Sequence, residues 1–100
     1  MEEHEHQGKV YSTSCFKLTV SHGAFAIGKA VRDIMWPQSA VVLNVKHAND
    51  RIQEVENEGE KKLYAEDMVI VRAKYDDKER LKTLLYDIVG NDFEITDYTL

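Results

Sequence analysis

The 100-residue chain has little of what several protein classes depend on. It contains one cysteine, Cys15, so no intramolecular disulfide can form. A single cysteine in a strand-like run is more typical of a small buried side chain than of a reactive thiol, and it agrees with a reducing compartment. Pro37 is the one proline, and the five glycines show no phosphate-binding spacing.

Long apolar runs and an excess of positive charge are also missing. No run approaches the roughly 18 apolar residues that span a bilayer, and the N-terminus lacks a signal-peptide pattern. We therefore expect a cytoplasmic chain without direct membrane insertion. The formal net charge of −5 argues against nucleic-acid binding, because phosphate recognition relies on a basic face. With 43% hydrophobic and 31% charged residues, the composition is that of one globular domain.

Clusters of residues that carry chemistry are equally scarce. The acidic segment "EVENEGE" at 54–60 lacks the alternating ligand spacing of a calcium loop. The polar segment "MEEHEHQGK" at 1–9 shows no periodicity, and we expect it to be a disordered tail. His22 and His47 are explained better as polar loop residues than as catalytic bases. We expect no catalytic residue, no metal site and no enzyme.

Four segments have the character of β-strands. Residues 10–20 alternate between two faces, which is the period-two pattern of a strand. The apolar run Ala40–Val45, broken only by Asn44, predicts a central strand that is covered on both faces, and Met68–Ala73 predicts a second buried strand beside it. Arg51–Val55 is predicted to return as a short strand.

Apolar spacing at i, i+3, i+4 and i+7 predicts two helices. The first is expected over Ala24–Met35, where Pro37 stops it and Gly28 indicates close packing. The second follows Asp77, which can cap it, and ends at Gly90. Their apolar positions are Ile27, Ala30, Val31 and Ile34 in the first helix, and Leu81, Leu84, Leu85 and Ile88 in the second.

These elements predict an α+β fold: a small mixed or antiparallel sheet with two helices packed on it, in the order β-α-β-β-β-α. The domain is expected at residues 10–90, and residues 91–100 form a C-terminal tail or an edge strand. Trp36 stands at the predicted end of the first helix. An indole there is typical of a core cap, and the alternative is a ligand platform or a dimer anchor.

Two stretches, "FKLTVSHGAFAIGKAVRDIMWPQSAVVLNVKH" and "EGEKKLYAEDMVIVRA", resemble the RCK C-terminal (TrkA-C) domain. This family comprises cytoplasmic modules of potassium channels, potassium-uptake regulators, other ion transporters and some bacterial chloride channels or exchangers. Gly28–Lys29 match the start of the family's helix, Trp36–Pro37 its stop, and Val41–Val45 the apolar strand. Lys46, Gly59, Leu63, Asp67 and Met68–Val71 match the later pattern. The resemblance covers residues 15–90, and the Trp-Pro stop is similar to versions fused to ClC-type chloride channels.

The chain departs from the family's pattern in three ways. Its strand ends at Lys46–His47, where the family usually has an Arg. Glu66 replaces the Gly of a Gly-Asp pair, so the turn must either change form or hold a non-glycine residue in a strained conformation. Some relatives bind cyclic di-AMP at a dimer interface through an Arg and an Asn, where this chain has Trp36–Pro37 and Ala40–Val41. Because Arg provides bidentate phosphate recognition, its replacement argues against a cyclic dinucleotide.

The resemblance implies a ligand-sensing and dimerising regulatory domain of an ion channel or ion transporter. Its partners would be a second copy and the membrane portion of the same or a partner chain. Trp36, Pro37, Val41 and Asn57 are expected to line the dimer interface or a ligand pocket. The alternative is a purely structural dimerisation domain of a membrane transporter that binds no ligand. The transported ion and any ligand stay unassigned.

Overall fold

The computed structural model of the chain describes residues 10–37 and 39–98. The tail that we expect at residues 1–9 lies outside the described residues. The regular elements are β1 (Ser12–Thr19), β2 (Val41–Lys46), β3 (Met68–Tyr75), α1 (Lys78–Val89) and β4 (Thr96–Tyr98). The fold is α+β, as the sequence predicts.

The four strands form one antiparallel sheet in the order β2-β3-β1-β4. β1 pairs with β3 along its whole length, from Ser12 opposite Tyr75 to Thr19 opposite Met68. β2 pairs with the other side of β3, so the two apolar segments predicted to be neighbours in the sheet are neighbours. β1 and β2 therefore point in the same direction, with β3 antiparallel between them.

β2 lies at the edge of the sheet, which corrects the prediction of a central strand covered on both faces. Val42 and Val45 lie on the core face, whereas Val41 lies on the opposite face and is 48% exposed. The register shifts between Val42 and Asn44, as at a β-bulge. On the open edge, the backbone N–H of Val45 donates to the Glu58 carboxylate. Apolar side chains of β2 point to both faces of the sheet, and this explains why the sequence shows no alternation there.

The hydrophobic core lies between one face of the sheet and α1. The second predicted helix is confirmed: the Asp77 side chain accepts the N–H of Arg80 at 3.1 Å, and Gly90 ends the helix. Leu81 and Leu85 are buried by the sheet, and each such side chain contributes about 1.5–3 kcal/mol of burial free energy. The fully buried sheet residues are Phe16, Leu18, Val69 and Val71.

The first predicted helix, over Ala24–Met35, is wrong. This segment forms turns and one 3₁₀ turn at Val31–Asp33. The N–H of Gly28 donates to the Leu63 carbonyl at 2.7 Å, so backbone bonds that a helix would make internally go to another segment. Gly28 also has φ 81°, outside the right-handed helical region. The apolar residues are buried without a helix: Ala26, Ala30, Val31 and Ile34.

The order of elements also differs from the predicted β-α-β-β-β-α. Residues 51–55 form no strand, and the chain between β2 and β3 is a long loop with 3₁₀ turns at Ala48–Asp50 and Glu58–Glu60. The C-terminal segment supplies the edge strand Thr96–Tyr98, which pairs with β1. Within the described ranges, no helix combines the length and the apolarity needed to cross a membrane.

Candidate functional site

Asp67, at the start of β3, is the centre of a buried polar cluster. Its side chain is 0% exposed and accepts hydrogen bonds from the N–H of Ala48 at 3.0 Å and of Tyr64 at 2.9 Å. His47 Nδ1 lies 2.9 Å from the same carboxylate, and the Arg51 guanidinium also donates to it. Burial raises the pKa of Asp67, but these donors together lower it by more. The pKa of Asp67 therefore lies below its ordinary value.

The hydrogen-bonding roles of the two His47 ring nitrogens follow from their neighbours. The N–H of Lys62 donates to Gln53 Oε1 at 2.9 Å, and Gln53 Nε2 donates to the Lys62 carbonyl at 2.7 Å, which fixes the orientation of the amide. Gln53 Nε2 also lies 3.2 Å from His47 Nε2, which must therefore accept. The ring proton then resides on Nδ1 and is donated to Asp67.

This cluster holds loops in place. The His47 side chain is only 6% exposed and Asp67 is fully buried, so a substrate has no direct access to the pair. The Arg51 guanidinium lies 4.7 Å from the centre of the Tyr64 ring, where it makes a cation–π contact. The cluster joins the segment after β2 to the turn before β3, and it thereby fixes both ends of the 47–66 loop.

The turn before β3 shows how the chain accommodates its departure from the Gly-Asp pattern. Glu66 has φ 71°, in the left-handed region that favours glycine. Its N–H donates to the Val20 carbonyl at 2.7 Å, and the N–H of Asp67 returns to the Tyr64 carbonyl at 3.1 Å. At the surface, Glu66 Oε2 lies 2.9 Å from His22 Nε2. Of the two alternatives expected from sequence, the strained non-glycine residue is the one observed.

The four predicted site residues do not converge. Trp36 packs partly against the core, and its indole N–H donates to a backbone carbonyl at 3.0 Å. Pro37 lies beside α1, and Val41 lies on the uncovered face of the sheet. Asn57 is exposed in the 47–66 loop, where its side chain donates to Glu60 at 3.4 Å. No hydrogen bond joins any two of these four described residues.

The sheet face opposite α1, the outer sheet face, is basic. Residues directly opposite one another on antiparallel strands share a face, so the register defines its members. They are Thr13, Cys15, Lys17, Thr19, Val41, Asn44, Lys46, Met68, Ile70, Arg72, Lys74, Thr96 and Tyr98. Four of them are basic and none is acidic. Within the described residues, none of the four basic side chains forms an ion pair.

The outer sheet face has an apolar centre. Ile70 is half-buried between Lys17 on β1 and Asn44 on β2, and Arg72 follows two residues along β3. Because neighbouring strands lie about 4.8 Å apart, the two charged residues Lys17 and Arg72 and the polar Asn44 all lie within roughly 10 Å of Ile70. An apolar centre with a charged rim is the usual anatomy of a protein interface. Sequence patterns missed this face because its members come from all four strands.

A second uncovered surface, the α1 patch, consists of Met35, Pro37, Arg80, Leu84 and Asp87. Met35 is 90% exposed and Leu84 is 42% exposed. An open cleft of about 630 Å³ lies on the Arg80 side of Leu84, and a hollow of about 220 Å³ lies on the Asp87 side. Pro37 lines both. Leu84 was predicted to face the core, and its exposure makes this helix face apolar at its centre.

The described residues contain no group of three or more His, Cys, Asp or Glu side chains that could hold a metal ion. Comparison of the chain with protein-family models, with curated proteins and with solved structures gives no match. The resemblance to the RCK C-terminal domain therefore depends only on the residues quoted for it.

Proposed function

We propose that this chain is a regulatory domain of an ion channel or ion transporter, of the RCK C-terminal kind, and that it works as a homodimer. The supporting observation is the turn at Glu66–Asp67. Glu66 occupies the position of the family's glycine and adopts φ 71°, a conformation that glycine takes readily and glutamate does not. A backbone conformation at position 66 that would suit the glycine of the family's pattern supports the proposal.

Such a domain acts by coupling equilibria. A ligand or a transporter segment can shift the dimer only if it binds one arrangement of the two copies better than another. The outer sheet face suits an acidic segment of the transport protein, because its four unpaired basic side chains surround an apolar centre. The two surfaces have different chemistry, so one can serve a second copy while the other serves the transporter.

Sedimentation of the purified chain tests the dimer. At about 50 µM we expect a two-copy species, and a monomer at that concentration would contradict the homodimer. A thermal-shift series with nucleotides, chloride and potassium then tests ligand sensing. A ligand that binds the native dimer at a hundredfold excess over its Kd adds about 2.7 kcal/mol of stability, which raises Tm by roughly 10 °C or more.

One observation favours the purely structural alternative. Trp36, Pro37, Val41 and Asn57 do not meet in a pocket on one molecule, so the residues expected to bind a ligand do not form an enclosed site there. A dimerisation domain needs no such pocket. A chain that sediments as a dimer but whose Tm responds to none of the compounds would support this alternative over ligand sensing.

A further inference from the structure

The exposed stripe of α1 is self-complementary. Arg80, Leu84 and Asp87 are spaced at i, i+4 and i+7, so they share one face of the helix, and all three are exposed. Arg80 and Asp87 carry opposite charges at equal distances from the point between residues 83 and 84. Within the described part of the chain, neither side chain forms an ion pair.

A two-fold axis through that midpoint would pair the stripe with itself. Two α1 helices that cross antiparallel there place Arg80 of each copy opposite Asp87 of the other, about 5 Å along the helix from the axis. The Leu84 side chains meet beside the axis. Met35 is 90% exposed, and together with Pro37 it extends the apolar surface to one side of the helix.

The outer sheet face does not offer this self-complementarity. Lys17, Lys46, Arg72 and Lys74 lie on it without any acidic residue, so a two-fold contact would bring eight positive charges together. Like charges placed opposite one another oppose association. Of the two uncovered surfaces, only the α1 patch is complementary to a copy of itself.

We propose that two copies of this chain associate through the α1 patch, with reciprocal Arg80–Asp87 ion pairs on either side of paired Leu84 side chains. This inference rests on the proposed homodimer and specifies its surface. The orientation is antiparallel and isologous, because only that arrangement satisfies both charges of both copies. In this arrangement Trp36 lies next to the dimer contact. Its packing against the core holds the adjacent residues Met35 and Pro37 in position.

A charge-swap cycle measured by sedimentation equilibrium tests the inference. Arg80→Glu and Asp87→Arg each replace two ion pairs per dimer with two like-charge contacts, and each should raise the dimer Kd by about tenfold or more. The double variant restores opposite charges across the axis and should return Kd to within about threefold of the original. Both positions are exposed, so circular dichroism should show unchanged folding.

Arg72→Glu is the matched control, because it makes the same charge change on the outer sheet face and should leave the dimer Kd unchanged. If the original chain dimerises and neither single variant weakens it, the α1 patch is not the interface, and the homodimer stands on another surface. Weakening in both single variants without recovery in the double variant would also overturn the proposed pairing. A monomeric original chain would overturn the homodimer itself.

Discussion

At the scale of single residues, two glycines of this molecule share a positive φ in different surroundings. Gly28 and Gly90 both have φ 81°. A Cβ built on Gly28 would meet no atom within 4 Å, whereas one on Gly90 would lie 2.5 Å from the Cβ of Ser21. Glycine at position 28 is therefore needed only for its positive φ. At position 90, glycine is also needed because Ser21, just after β1, packs directly against it.

This difference predicts unequal costs for the same substitution. Gly28→Ala should lower the free energy of unfolding by about 1–2 kcal/mol, the cost of the left-handed conformation for a residue with a Cβ. Gly90→Ala adds a steric overlap with Ser21 and should cost roughly 3 kcal/mol or more in total. Urea denaturation of both variants measures the difference, and equal losses would contradict the close approach at Gly90.

Glu66 offers the converse change. Glu66→Gly should raise the free energy of unfolding by about 0.5–1 kcal/mol, because it relieves roughly 1–2 kcal/mol of backbone strain and loses an exposed hydrogen bond with His22 worth under about 1 kcal/mol. Glu66→Ala is the control: it loses the hydrogen bond and keeps the strain, so it should be less stable than the original. A destabilised glycine variant would show that the side chain matters more than the turn.

At the scale of elements, the sequence predicted correctly the strands and the helix whose residue pattern is compatible with only one secondary structure. β1, β3 and α1 follow from alternation, an apolar run and a capped apolar stripe, respectively. The prediction of a helix at 24–35 was wrong, because apolar residues at helical spacing can also be buried by a segment of turns. Gly28, the one glycine inside this segment, was the available signal against a helix, and it takes φ 81° in the structure.

The polar cluster shows what sequence reasoning could reach at the site. The family resemblance singled out Asp67, but no local pattern shows that its donors would be Ala48, His47, Arg51 and Tyr64. These residues meet only after the loop closes. The outer sheet face and the α1 patch were missed for the same reason, since each combines residues from separate elements.

The stability of the 47–66 loop should depend on Asp67. Asp67→Asn leaves Arg51 and His47 without their carboxylate and should cost about 3 kcal/mol at pH 7. The folded-state pKa of Asp67 lies below its unfolded value. Its contribution is therefore complete above the unfolded pKa of roughly 4 and is lost as the pH falls through the lower folded value.

Denaturation at pH 7 and at a series of lower pH values checks both statements. The Asn variant should lose less stability than the original chain as the pH falls below about 4, because it has no carboxylate to protonate. Asp92→Asn is the control, since Asp92 accepts one exposed backbone N–H from His22. Equal effects of the two substitutions would show that the buried cluster has no special weight.

At the scale of the whole molecule, charge is segregated. The chain carries a net charge of −5, yet the outer sheet face carries only basic groups. A local field can attract a ligand of opposite sign although the net charge repels it. The charge of this face therefore favours contact with acidic groups.

Cation-exchange chromatography at pH 7 and low salt tests this segregation without a known partner. Replacement of Lys17 and Lys46 by Gln should reduce retention clearly, because both belong to the outer sheet face. Replacement of Lys62 and Lys82 by Gln makes the same change in net charge elsewhere and should reduce retention less. Equal reductions would show that net charge alone governs the interaction.

The contact between Glu58 and the N–H of Val45 also affects the tendency of the protein to aggregate at high concentration. An open sheet edge is a template on which a foreign strand can be added, and successive additions lead to fibrils. Here the Glu58 carboxylate accepts the Val45 N–H that an added strand would need as a donor. Lys61 Nζ lies 3.5 Å from the Val45 carbonyl, which the added strand would need as an acceptor. Glu58→Ala should therefore leave the fold intact but shorten the lag before thioflavin-positive aggregates form.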